Sequence, residues 1–222
     1  FPGRKLWAYA VRPASGGVTK VTALFAPGQE IDIIVIPEEQ FRLARQAIRR
    51  GLHRRASPFT GPLNEMATLM RAGHHVLKGG KPWKELYARV VREMPGARLS
   101  DAEIVALAQE FICDFVWLRE KIQRGELVAA QRTLHRSLVE INFRLMHEYC
   151  LRRNQRTFRE ARRVERLLSR TQLQAISVVT ALDAAKLQAA TAKAGATFRT
   201  LARRLVGSAW RWPADLSFSA AR

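Results

Sequence analysis

The chain has 222 residues, 47% of them hydrophobic, with 38 Lys or Arg against 19 Asp or Glu and a formal charge of +19. That length buries a core in one domain or one and a part. No apolar run reaches the roughly 18 to 20 residues of a membrane-spanning helix, and no charged region followed by an apolar one marks a secretory signal. The charge favours polyanionic partners, or reflects a solvated basic surface in an arginine-rich chain, and says nothing of the fold.

The chain begins at Phe1 in what reads as the middle of a sheet, so it is taken as the C-terminal part of a larger protein. Residues 1–37 form the β region. Leu6–Val11, Val18–Phe25 and Ile31–Ile36 are the expected strands, punctuated by Gly16-Gly17 and Pro27-Gly28. Pro37 ends the last strand because it has no N–H to donate to a ladder. The third strand is nearly continuous in apolar residues, which predicts burial on both faces. Asp32 lies in its middle, where a carboxylate is costly unless it is paired or holds a metal.

After Pro37 the period turns helical. Glu38–Arg50 places Phe41, Ala44, Ala47 and Ile48 on one side and closes at Gly51. A short helix over Leu63–Arg71 ends at Gly73, and Pro82 suits the first turn of a helix running to Met94. Ser100-Asp-Ala-Glu103 is a capping box that opens a long helix stopping at Gly125. From Glu126 to about Arg153, Leu127, Leu134, Leu138, Ile141 and Leu145 form one buried stripe. Thr157-Phe-Arg-Glu160 is a second capping box. Arg152–Arg170 carries eight basic residues around more than one face and reads as a solvated, partly salt-bridged helix. An Ala-rich helix runs from about Asp183 to Val206 and closes at Gly207. The tail from Ser208, with Trp210 and Trp212, is a docking strap or loosely ordered. Cys113 and Cys150 sit in apolar-periodic helices without a CxxC and read as buried, reduced thiols of a cytoplasmic protein. The expected class is α+β, a short antiparallel or mixed sheet remnant (1–37) followed by a mainly antiparallel helical bundle (38–207) and a tail (208–222).

The hairpin whose second strand reads Glu30-Ile-Asp32-Ile-Ile-Val-Ile-Pro37, followed by a bundle, resembles the back half of a bacterial nucleotidyltransferase. The superfamily is that of DNA polymerase β, and the type is the aminoglycoside adenylyltransferases. The likeness covers residues 18–50 most closely. It implies transfer of a nucleoside monophosphate from a nucleoside triphosphate to a hydroxyl acceptor with Mg²⁺, and it makes Asp32 the third metal-site carboxylate. The family's Gly-Ser turn and Asp-x-Asp pair have no counterpart here, for no acidic residue precedes Glu30. A two-cation clamp needs several carboxylates, so the resemblance implies a fragment inactive by itself. The basic bundle suits an anionic acceptor better than a cationic drug.

Other candidates rest on residue types alone. Lys78 and Lys81 flank Gly79-Gly80, and such a turn brings backbone amides and ammonium groups to a phosphate, or is simply a basic turn between helices. His135 and Asn142 are seven apart and share a helical face, which offers them to a substrate or leaves them as satisfied polar groups. Asp32 likewise is a catalytic and metal-binding residue or a paired aspartate at a sheet rim. The second functional reading is a non-catalytic basic helical module that binds nucleic acid or a protein partner.

Overall fold

The computed structural model describes residues 3–14, 17–54, 57–71, 73–78, 80–96, 98–155, 161 and 163–216. The protein is α+β: a three-stranded antiparallel sheet comes first and helices follow. By their contacts the residues form two compact units, 1–97 and 98–222. The change from strand to helix at residue 37 implies a division there; the contacts instead group the first three helices with the sheet.

In the first unit β1 (Leu6–Ala14), β2 (Val18–Phe25) and β3 (Gln29–Val35) lie side by side in the order β1-β2-β3. At the β2–β3 turn Gly28 has φ 89°, a left-handed conformation open to glycine at no steric cost, and its N–H donates to the Phe25 carbonyl at 2.8 Å. The register pairs Val11 with Val21 and Val21 with Ile33, and Ala10 with Thr22 and Thr22 with Asp32. Because side chains alternate, Tyr9, Val11, Val21, Ala23, Phe25, Ile31, Ile33 and Val35 share one face. Arg12, Lys20, Thr22, Glu30 and Asp32 share the other with Ala10, Leu24 and Ile34. All four charged residues of the strands therefore stand on one face, among apolar neighbours.

The expected burial of β3 on both faces is corrected here. Ile33, Ile34 and Val35 are 51%, 45% and 53% exposed, and the buried cluster of this unit contains no sheet residue. An apolar run means two-sided burial only when both faces have partners; among the described residues no buried cluster takes in a β3 side chain.

That cluster is built by α1 (Glu38–Arg49), α2 (Thr60–Arg71) and α3 (Gly80–Glu93). Phe41 and Ile48 from α1 meet Leu63 and Ala67 from α2 and Leu86 and Val90 from α3, with Met94 just beyond. The Phe41 and Trp83 rings stack with centroids 3.4 Å apart. Arg71 closes the α2–α3 corner by donating to the carbonyls of Val91, at 2.8 Å, and Met94. Gly96 has φ 91° and passes so close that a Cβ there would meet the Arg71 guanidinium at 2.7 Å.

The second unit packs α4 (Asp101–Gln123), α5 (Leu127–Thr133), α6 (Glu140–Arg152), α7 (Val164–Leu167), α8 (Arg170–Ile176) and α9 (Ala184–Val206). The Ser100 capping box forms as its sequence implies: the Glu103 N–H donates to Ser100 Oγ at 3.2 Å, and the Ser100 N–H donates to Glu103 Oε2 at 2.7 Å. Asp183 caps α9 by accepting from the Lys186 N–H at 2.9 Å. The apolar stripe of 134, 138, 141 and 145 is buried. Between α5 and α6, however, Leu134–Val139 is a π segment rather than regular α-helix. Small residues of α9, Ala190, Ala194 and Gly195, are buried and let it approach α4 and α6 closely. Phe111 of α4 and Phe198 of α9 stack 3.9 Å apart at the centre of this core.

Two further expectations change. The basic block 152–170 is not one helix among the described residues. α6 stops at Arg152, Asn154, Ala161 and Arg163 have φ near 56°, and only Val164–Leu167 is helical again before α8. Left-handed residues of this kind interrupt an α-helix. The Thr157–Glu160 capping box lies outside the described residues. Of the two cysteines Cys150 is buried, whereas Cys113 is exposed, because it lies on the outer side of α4. Among the described residues no helix is long and apolar enough to cross a membrane.

Candidate functional site

Asp32 stands on the polar face of the sheet. Its Oδ1 accepts from the Thr22 hydroxyl at 2.6 Å, directly across the β2–β3 ladder, and its Oδ2 lies 2.9 Å from Lys20 Nζ. Both members of the ion pair are about one-third exposed, so the carboxylate is screened by water as well as by its partners. Glu30 follows on the same face. A pair of divalent cations needs several convergent carboxylates. Here the ammonium group of Lys20 takes one Asp32 oxygen and a hydroxyl takes the other. Among the described residues no group of three or more His, Cys, Asp or Glu side chains is placed to hold a metal. The residues present do not fit a two-metal clamp.

Of the remaining sequence candidates, Lys78 and Lys81 belong to the first unit and His135 and Asn142 to the second. Lys81 is exposed in the first turn of α3, with its ammonium 3.8 Å from Glu85. Lys78 is exposed just before that helix, and Gly79 between them lies outside the described residues. His135 is exposed on the π segment, while Asn142 is 1% exposed and donates from Nδ2 to the Ala194 carbonyl of α9 at 3.0 Å. Asn142 thus ties α6 to α9 and presents no surface to a substrate. The shared face expected for these two is lost for a geometric reason. A π segment takes more residues per turn than an α-helix, so a seven-residue step across Leu134–Val139 no longer returns to the same side.

A different constellation appears at the C-terminal end of α9. There a concave cleft of about 1010 Å³ is lined by Arg199, Arg203, Arg211, Trp210, Trp212 and Leu216, among others. It is built in three steps. Gly207, at φ 56°, ends α9 and lets the chain reverse. Trp212 then returns to the core, its ring edge-on to Phe115 at 5.4 Å and its Nε1 donating to the Leu216 carbonyl at 2.7 Å. Trp210 packs edge-on against Phe198 at 5.3 Å. The strap expected from the tail does dock over residues 208–216, and in docking it carries Arg211 to the cleft. Arg199 and Arg203 are four apart and so lie on one side of α9. Nearby, the guanidinium groups of Arg153 and Arg204 both lie within 5.6 Å of the Tyr149 ring.

The cleft is predominantly basic. From Ala184 to Leu216 the sequence has six Lys or Arg and one acid, Asp215, which stands between the lining residues Ala214 and Leu216. Three guanidinium groups on one concavity, flanked by two indoles, present fixed cations and apolar rings together. That combination recognises an anion attached to a planar or apolar group. Density of charge along the sequence does not find this site, because it singles out Arg152–Arg170. The usable signal is the scarcity of acids across the last helix and strap, where Asp215 is the single acid between Ala184 and Leu216, together with the Trp-Arg-Trp run. The chain matches no family model, no curated protein and no solved structure.

Proposed function

We propose that this chain is a non-catalytic basic module that binds nucleic acid, and that its second unit does so through the Arg199–Arg203–Arg211 cleft. The observation that carries the reading is that cleft: three arginines and two tryptophans on one concavity, in a stretch whose single acid is Asp215. Guanidinium groups pair with phosphate oxygens in a fixed fork and stay charged at any working pH. Neutralising phosphates releases counterions, so affinity should fall steeply with salt.

The test is fluorescence anisotropy of a labelled oligonucleotide with the whole chain, at several salt concentrations. The triple variant Arg199→Ala, Arg203→Ala, Arg211→Ala is expected to flatten the slope of log K against log salt by roughly 0.7–0.9 for each phosphate that is no longer neutralised. Unchanged affinity and slope in a folded triple variant would refute the reading.

One observation favours the nucleotidyltransferase reading instead: Asp32 and Glu30 share the polar face of the hairpin. On that reading further carboxylates would have to reach this face before Mg²⁺ and a nucleoside triphosphate were held. Asp32→Ala separates the two accounts. Under our proposal the variant binds oligonucleotide as the parent does; transfer activity abolished by it would reinstate the enzyme.

A further inference from the structure

Resting on the nucleic-acid reading, we infer that the cleft is a single-strand site in which a base stacks on Trp210 while Arg199 and Arg203 hold successive phosphates. The two tryptophans have different roles. Trp212 is anchored, edge-on to Phe115 and hydrogen-bonded through Nε1 to Leu216. Trp210 is half-buried, its ring near-perpendicular to those of Phe198, at 5.3 Å, and Trp212, at 6.2 Å. An indole that lines a cleft and is held by perpendicular rings, with none stacked parallel to it among the described residues, is a ready platform for a planar ring. Stacking of this kind serves any base.

The spacing of the cations agrees. Four residues along a helix rise about 6 Å, a separation that suits two phosphates of one strand rather than the two charges of a single group. The cavity, about 1010 Å³, stands at the upper end of the roughly 300–1,000 Å³ that small-molecule sites occupy, which leaves room for more than one nucleotide. A duplex keeps its bases inside the stack, where an indole inside a concavity does not reach them; an unpaired strand can turn a base outward.

The experiment compares a labelled single-stranded 12-mer with the same sequence as duplex, using the full chain and three variants. Trp210→Leu keeps the apolar bulk over Phe198 and removes the ring. It should weaken single-strand binding by about 5- to 150-fold, the range of one base stack, with the salt slope unchanged because every phosphate stays paired. Trp210→Phe should stay within about threefold of the parent, since a stacking ring remains. Arg203→Ala should do the reverse of the leucine variant and lower the salt slope by about one phosphate. Circular dichroism of each variant confirms that α9 and its strap are intact. Equal binding of duplex and single strand, or no effect of Trp210→Leu in a folded protein, overturns the single-strand inference and leaves the basic module standing. Failure of both oligonucleotides to bind overturns the nucleic-acid reading beneath it.

Discussion

The residue that fixes the end of α9, and with it the cleft, is Arg152, and removing its side chain is the sharpest test of the fold. Its Nε donates to Glu148 Oε1 at 2.8 Å, its Nη1 to the Leu205 carbonyl at 2.9 Å, and its Nη2 to the Leu99 carbonyl at 3.0 Å and to Asp101 Oδ1 at 2.9 Å. One guanidinium thus joins the start of α4, the end of α6 and the end of α9. The Glu148 side chain is 2% exposed and also accepts from the Leu99 N–H at 2.9 Å. Breaking a buried ion pair from one side costs about 3–5 kcal/mol, because the remaining charge is left without compensation. Arg152 itself is 30% exposed, so water screens its half of the pair. The bond to Asp101, whose side chain is 67% exposed, adds little. Arg152→Ala should therefore cost about 3 kcal/mol, at the low end of that range.

Native-state hydrogen exchange of amides in α4, α6 and α9 reads this directly, since the slowest amides report the opening free energy of the unit. Their exchange should accelerate roughly 100-fold. Arg153→Ala is the control: that side chain lies over the Tyr149 ring at 5.5 Å, and the change should cost about 0.5–1 kcal/mol. Adding Glu148→Gln to Arg152→Ala should restore part of the loss by neutralising the stranded carboxylate. If Arg152→Ala and Arg153→Ala behave alike, or if Glu148→Gln makes the double variant worse, the clamp is not what holds these helix ends.

Three further outcomes follow from single side chains. Glu93 is held at about 2, against an ordinary 4.5, chiefly by the hydrogen bond from Arg89, with burial pushing the other way and Arg92 and His53 assisting; its contribution to the first unit is complete above about 4.5 and fades as the pH falls toward 2, so Glu93→Gln should flatten an acid-unfolding curve in that window. Ser100→Ala removes one half of the capping box and should cost about 1 kcal/mol, seen as faster exchange in the first turn of α4. The exposed Cys113 should react with a thiol reagent in the folded protein. Cys150, buried and with its thiol pushed up by that burial, should react only on unfolding.

The helical elements are legible in the sequence wherever local chemistry decides them. Ser100 with Glu103, Asp183 before the Ala-rich run, and glycines at 51, 125 and 207 set helix ends that the structure places within a residue or two. Two features stay hidden because they depend on distant partners. The π segment over Leu134–Val139 has no local marker, since its leucines still satisfy a buried stripe. The exposure of β3 is hidden too, since an apolar run specifies what a strand can bury and not whether anything is there to cover it.

The candidate site shows the same division at the level of charge. Cations in Arg152–Arg170 make the densest basic block, yet Glu160 and Glu165 fall among them and the helix expected to carry them is interrupted at Arg163. Arg199, Arg203 and Arg211 are fewer, but the run Ala184–Ala214 that contains them has no acid of its own, and Asp215 follows it directly. What turns three arginines into a site is the strap: Trp212 buries against Phe111 and Phe115, and its neighbour Arg211 is carried to the concavity that Arg199 and Arg203 line from the helix. Hydrophobic anchorage supplies the position and the guanidinium groups supply the chemistry. A substitution that frees Trp212, such as Trp212→Ala, should therefore weaken oligonucleotide binding without removing any charge, and its salt slope should fall because Arg211 is no longer held at the cleft.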